Sequence, residues 1–146
     1  MNREILFRGK HIHLSPQNGH LDGTWVYGYL CDENYINSVD EDEYGGKFTS
    51  ETLIDPETTC EYTGLIDKNG RRFEGDIFQA SDGDYIQKYI ITWNEDSLEW
   101  SAECIGDPDG TLPLSEFRVE EIEVIGNIFD NPELLKEGTE NANPTN

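Results

Sequence analysis

Between Tyr62 and Phe78 the chain reads Tyr-Thr-Gly-Leu-Ile-Asp-Lys-Asn-Gly-Arg-Arg-Phe-Glu-Gly-Asp-Ile-Phe. No other stretch limits the fold as much. Asp67-Lys68-Asn69-Gly70 is a hairpin turn by composition, because Asn tolerates and Gly favours the positive φ that tight turns need. The flanking runs suit strands, and Glu74-Gly75-Asp76 bends the chain before Ile77 and Phe78 re-enter the core. An antiparallel β architecture follows.

The rest of the chain repeats that pattern. Ile5, Phe7, Ile12 and Leu14 fall at two-residue spacing, interrupted by Gly9. Trp25, Tyr27 and Tyr29 alternate with Val26, Gly28 and Leu30. These two runs predict a hairpin or short meander over Met1–Leu30. Tyr85–Trp93 and Leu98–Ile105 predict a strand pair joined across Asn94–Ser97. The β-branched residues of Phe117–Ile128 favour strand there too. Asn131-Pro132-Glu133 opens a single helical turn, with Asn as cap and Pro at the first helical position. Asp32–Gly46 carries six acidic residues and ends in Gly45-Gly46, which predicts an exposed loop. Asp55-Pro56-Glu57 reads as a turn, and Glu140–Asn146 as a disordered polar tail.

Composition narrows the function more than it names it. The 146 residues suit one domain, or two small units. Sixteen aromatic residues can build a compact core although only 35% of the chain is hydrophobic. The net charge of −21 is far beyond the magnitude of about 2–8 usual for a small domain. It argues against direct nucleic-acid binding, which needs clustered Lys and Arg to displace counterions. Cys31, Cys60 and Cys104 form no C-x-x-C pair and are expected as free thiols. No apolar signal core or run of about 18 apolar residues occurs, so a cytoplasmic protein without membrane contact is expected.

Four segments occur in order: Arg3–Lys10 (REILFRGK), Trp25–Leu30 (WVYGYL), Tyr62–Phe78 and Glu123–Leu135 (EVIGNIFDNPELL). Together they resemble the YopX family of phage and prophage proteins. Thr59-Cys60-Glu61 departs from the pattern, where Gly-Gln is expected before the tyrosine. The resemblance implies a mainly β protein: an N-terminal β segment packed beside an SH3-type small barrel, with one short C-terminal helical turn. It divides the chain into 1–58, a β segment with the acidic loop, 59–137, the small barrel, and 138–146, the tail. It also implies a phage or prophage origin and a bacterial host cytoplasm, and it brings no catalytic residues.

Each candidate site has an ordinary structural explanation. His11 and His13 share a strand face and could ligate a metal with His20 or an Asp from a loop, but two histidines fall short of the usual three or four ligands. Asp107-x-Asp109-Gly110 and Asp82-Gly83-Asp84 faintly match calcium loops, yet the closing twelfth position from Asp107 is Arg118. Glu74 and Asp76 are the best-placed carboxylate pair for a hydrolase, although Asp at a bend commonly bonds backbone. No catalytic, cofactor or metal residue is assigned, and no cofactor is expected. The remaining candidates are Trp25, Tyr27 and Tyr29, core if buried and an interface if exposed, and the acidic Asp40, Glu41, Asp42 and Glu43. A non-enzymatic interaction module is therefore expected: a homo-oligomer that binds a host or phage protein. An acidic decoy that mimics nucleic acid toward a basic host protein is the alternative, and a carboxylate hydrolase the next.

Overall fold

A computed structural model describes residues 4–12, 23–81, 83–136 and 139–141. The chain divides into two compact units, Met1–Tyr62 and Thr63–Asn146. Both are mainly β, as the turn chemistry and alternation require, and the described residues contain no helix long and apolar enough to cross a membrane.

In the first unit four antiparallel strands pair in a ring: β1 (Phe7–His11), β2 (Trp25–Asp32), β3 (Tyr35–Glu41) and β4 (Lys47–Asp67). β1 pairs β2, β2 pairs β3, β3 pairs β4, and β4 returns to β1. Closing a sheet on itself removes exposed edges. The small barrel-like ring thus lies in the N-terminal unit, whereas the resemblance placed a barrel in the C-terminal part. Ile36, Ile54, Cys60 and Tyr62 fill its interior. Two glycines let it close. A β-carbon at Gly9 would lie 2.6 Å from Ile54 Cδ1, and one at Gly28 would collide with the Asn37 carbonyl oxygen.

Asp55-Pro56-Glu57 lies within β4 rather than in a turn. Between Arg8↔Cys60 and Lys10↔Asp55 the register slips, so Pro56 sits where no ladder bond is needed. Thr58 fills the gap: its hydroxyl donates to the Asp55 carbonyl at 2.7 Å and accepts from the Lys10 N–H at 2.8 Å.

The expected acidic loop over Asp32–Gly46 is also corrected. β2 runs to Asp32 and β3 occupies Tyr35–Glu41, in register with β4 as far as Glu41↔Lys47. The acidic side chains stand on a two-stranded ladder whose backbone groups are paired, so charge density there did not prevent strand formation. The Asp42 carboxylate holds the connecting turn, accepting from the N–H groups of Tyr44 at 2.9 Å and Gly46 at 2.8 Å.

In the second unit the end of β4 pairs β5 (Gly70–Phe73) across the expected Asp67–Gly70 turn. The positive φ falls on Gly70 alone, at 116°, while Asp67 Oδ1 accepts from the Asn69 N–H at 2.7 Å. The main sheet has β6 (Asp76–Ser81), β7 (Tyr85–Asn94), β8 (Glu99–Cys104), β9 (Leu112–Pro113) and β10 (Glu123–Asn127), in the order β10-β6-β7-β8-β9. One face buries Phe78, Tyr89, Ile91, Ala102 and Cys104 against Leu114 and Ile122. Phe78, Tyr89 and Phe117 stack at centroid distances of 5.0 to 5.3 Å.

The expected strand over Phe117–Ile128 is corrected in part: Val119–Glu121 is a 3-10 turn ahead of β10, which begins at Glu123. The helical turn after Asn131 is a 3-10 turn over Pro132–Lys136. The expected disordered tail is corrected in part: Thr139–Asn141 forms β11 on the edge of β7. Strand addition needs only backbone groups, so a polar segment can supply it.

Candidate functional site

Trp25, Tyr27 and Tyr29 lie on one face of β2, because alternate strand residues share a face. That face points out of the ring. Tyr27 is 48% exposed and Tyr29 50%, and Val39 beside them on β3 is 58% exposed. Between the two readings of these aromatics, core or interface, the tyrosines are surface. Trp25 is half-buried for a different reason. The Arg8 guanidinium lies 4.4 Å from its ring centroid and the Lys10 ammonium 5.4 Å, each on the neighbouring β1. Such cation–π contacts contribute roughly 0.5–2 kcal/mol each.

The ladder between β2 and β3 stops at Tyr29↔Asn37, whereas β3 and β4 stay paired to Glu41↔Lys47. Beyond that point the Ser38 hydroxyl donates to the Tyr27 carbonyl at 2.8 Å. A cleft of about 450 Å³ opens here, lined by Leu6, the Trp25–Tyr29 segment, Ser38, Val39 and Asp40. Asp40 accepts from the Ser50 hydroxyl at 3.2 Å, and Asp42 is engaged in its turn. Glu41 and Glu43 are exposed. Tyr44, at the tip, is 89% exposed. The sequence candidates thus meet in one region: three aromatics along a cleft, and four acidic residues on the hairpin arm beside it.

Among the described residues the other candidates do not come together as a site. His13, His20 and Asp82 fall outside the described residues. Among the described residues no three His, Cys, Asp or Glu side chains converge as a metal centre would need. Asp107 and Gly110 close a short turn, Gly110 N–H to the Asp107 carbonyl at 2.9 Å. Cys60 and Cys104 are buried thiols and Cys31 is exposed. Burial, and then the charge of Asp107, push the Cys104 thiol above its ordinary pKa, so it stays protonated at neutral pH.

Asp76 is 4% exposed and accepts from the Phe73 N–H at 2.8 Å. Arg72 lies 3.6 Å from the same carboxylate and 3.2 Å from Asp67 Oδ2, the latter close enough for an ion pair but outside hydrogen-bond geometry. One arginine therefore bridges two buried carboxylates under the 67–70 turn. This locks the bend opened by Gly75, whose φ is 87°.

The second unit also has a cavity of about 490 Å³ lined by Thr63, Gly64, Leu65, Glu99, Trp100, Leu114, Ser115 and Phe117. Trp100 Nε1 is buried and finds no acceptor among the described residues. Leaving such a donor unmatched costs about 1–3 kcal/mol. Sequence reading missed this group, because its members come from three separate segments. The sole local hint was a tryptophan on an expected strand, since an indole N–H needs a partner when it is buried.

Two small antiparallel β units, one of them a closed ring with an aromatic cleft, define a mainly β protein. The chain belongs to the YopX protein family, whose sequence pattern matches residues 18–136. No curated protein matches it.

Proposed function

We propose that this chain is a non-enzymatic protein-interaction module of phage or prophage origin, working inside a bacterial host and self-associating through the outer face of β2. The observation that supports this most is the half-exposure of Tyr27, Tyr29 and Val39 along one cleft. Exposed aromatics with apolar neighbours commonly mark partner surfaces, and tyrosine is enriched there. Asp76 lends the hydrolase reading no support, since its carboxylate is buried against Phe73 and Arg72.

Two copies of a chain carrying −21 repel each other, and salt shortens the reach of that repulsion to about 3 Å at 1 M. Self-association is therefore expected to strengthen between 50 mM and 500 mM NaCl, the reverse of a charge-driven complex. Sedimentation velocity across protein concentration measures it. The double variant Tyr27→Ser, Tyr29→Ser is expected to remain monomeric. A wild-type chain that is monomeric at high micromolar concentration in both salts would rule out self-association.

A decoy for basic host proteins is the second reading, favoured by the presentation of Asp40, Glu41, Asp42 and Glu43 on a projecting strand pair. Its expected result is salt-labile recovery of nucleic-acid-binding proteins from bacterial lysate. Recovery unchanged when Asp40, Glu41 and Glu43 become Asn, Gln and Gln would count against it.

A further inference from the structure

The β3–β4 arm leaves the outer edge of β4 open. Backbone bonds alternate along an antiparallel pair, so every second residue of a strand turns its N–H and carbonyl away from its neighbour. The Asp42 N–H donates to the Gly46 carbonyl and the Ile54 N–H to the Asn34 carbonyl, both at 2.8 Å. Between these two bonds the even-numbered residues of β4 spend their backbone groups on β3, in the register Asp40↔Phe48 and Ser38↔Ser50. Lys47, Thr49 and Glu51 turn theirs to the other side. Leu53 does the same, and its carbonyl accepts from the Ile12 N–H at 3.1 Å. From Leu53 toward Lys47 no strand lies on that side among the described residues.

This edge is complementary to itself. Lys47, Thr49 and Glu51 share one face and all three are exposed. A second copy laid antiparallel with Thr49 opposite Thr49 sets each Lys47 opposite a Glu51 and each Phe48 opposite a Ser50. Unpaired backbone groups then face unpaired backbone groups. A slip of one residue matches them with groups already spent on β3. A slip of two either parts the charges or brings in Leu53, which is bonded to Ile12. Phe48, 48% exposed, comes within diagonal reach of its counterpart. A lone lysine blunts an edge against pairing; a glutamate four residues on gives it a partner in a second copy. We propose that the Lys47–Glu51 edge of β4 is a contact between copies of this chain, a two-fold antiparallel pairing centred on Thr49. Its charge pairs lie within the Debye length of about 8 Å at 0.15 M salt, so they act locally although the chains repel as wholes. Five residues fall short of a stable interface, which buries about 1,200–2,000 Å². The edge therefore joins copies that already meet through β2, and two different two-fold contacts carry assembly past a dimer. It rests on the β2 reading for its strength, and not for its register.

Disulfide trapping reads this register apart from the β2 face. The parent chain carries Thr49→Cys with Cys31→Ser, Tyr27→Ser and Tyr29→Ser, which removes the exposed native thiol and the tyrosines; Cys60 and Cys104 are buried. Residues opposite each other in a bonded antiparallel pair have Cα atoms about 5.5 Å apart, within disulfide reach. Under oxidised glutathione in 0.15 M salt the parent is expected to form a covalent dimer about tenfold faster than the same chain with Lys47→Glu or Glu51→Lys, because two cross-strand charge pairs turn from attraction to repulsion. Mixed in equal amounts, those two slow variants are expected to trap each other near the parent's rate, since only their mixed edge brings opposite charges together. Ion exchange separates the mixed dimer from the two like ones. Glu51→Lys is the decisive member. It makes the chain less negative, so overall repulsion alone predicts faster trapping. Trapping of Glu51→Lys as fast as the parent overturns the proposal, and so does a mixture that yields like dimers as readily as mixed ones. The expected preferences beside a wild-type chain that sediments as a monomer would support the edge and overturn the β2 face; a self-associating wild type without them would overturn the edge alone.

Discussion

Arg72→Ala is expected to destabilise the second unit by about 3–5 kcal/mol, the range found when one partner of a buried ion pair is removed. The mechanism is specific. Asp67 and Asp76 are nearly inaccessible at their side chains, so both carboxylates would lose the guanidinium that lies beside them in a low-dielectric site. Against a total stability of roughly 5–15 kcal/mol, such a loss moves a urea midpoint far enough to be read directly. The double variant Asp67→Asn, Arg72→Ala is expected to recover part of the loss, because one of the two stranded charges is gone. A double-mutant cycle with no coupling between the positions would refute this role for Arg72. Asp76 makes a poor first target in the same cycle, since its carboxylate also holds the Phe73 N–H.

Gly28→Ala is expected to have the next largest effect, a loss of about 3 kcal/mol in the first unit, at the upper end for overpacking a closed site. The added methyl would meet the Asn37 carbonyl, and behind it Ile36 Cγ2 at 2.9 Å. A backbone atom of a paired strand cannot rotate away as a side chain would. The β2–β3 ladder must separate, which would open the ring and disturb the placement of Tyr27 and Tyr29. Urea unfolding followed by tryptophan emission measures the loss. Gly23→Ala provides the contrast, because a β-carbon there meets nothing among the described residues within 4 Å and only its φ of 75° is strained. A Gly28→Ala chain as stable as wild type would mean that β2 and β3 do not approach this closely.

Local signals in the sequence transferred well to the structure. Asp67-Lys68-Asn69-Gly70, the Tyr85–Trp93 and Leu98–Ile105 pair, and the Asn131-Pro132 turn each depend on residues close together in the chain, and each formed. The errors arose where distant partners decide the outcome. β3 looked like a loop because its arm is solvent-exposed beyond Ser38, so no apolar alternation marks it. Pro56 looked like a turn because the Thr58 hydroxyl that bridges the bulge cannot be read from a proline. β11 has no apolar residue, and its pairing is supplied entirely by β7. The exposure of Tyr27 and Tyr29 was undecidable from alternation, which shows that two residues share a face and not which face is inside. The EVIGNIFDNPELL segment concealed its device too. Asn127 Oδ1 caps the N–H groups of Phe129 and Asp130 at 2.9 Å, and Asn131 Oδ1 accepts from the Asn127 N–H at 3.2 Å. Two asparagines four apart were its only visible trace.

β4 carries a consequence for inheritance. It is one uninterrupted strand from Lys47 to Asp67, and the division between the units, after Tyr62, falls inside it. Most proteins of two units are joined by a linker, where a genetic crossover can trade one half for another without breaking either. Here a crossover at the division must splice two half-strands in register, since a one-residue error turns every following side chain to the opposite face. Chimeras between relatives are thus expected to survive when joined in the Asp42–Gly46 turn or near Gly83, and to fail when joined at Tyr62. In this chain the two units are bound to descend together.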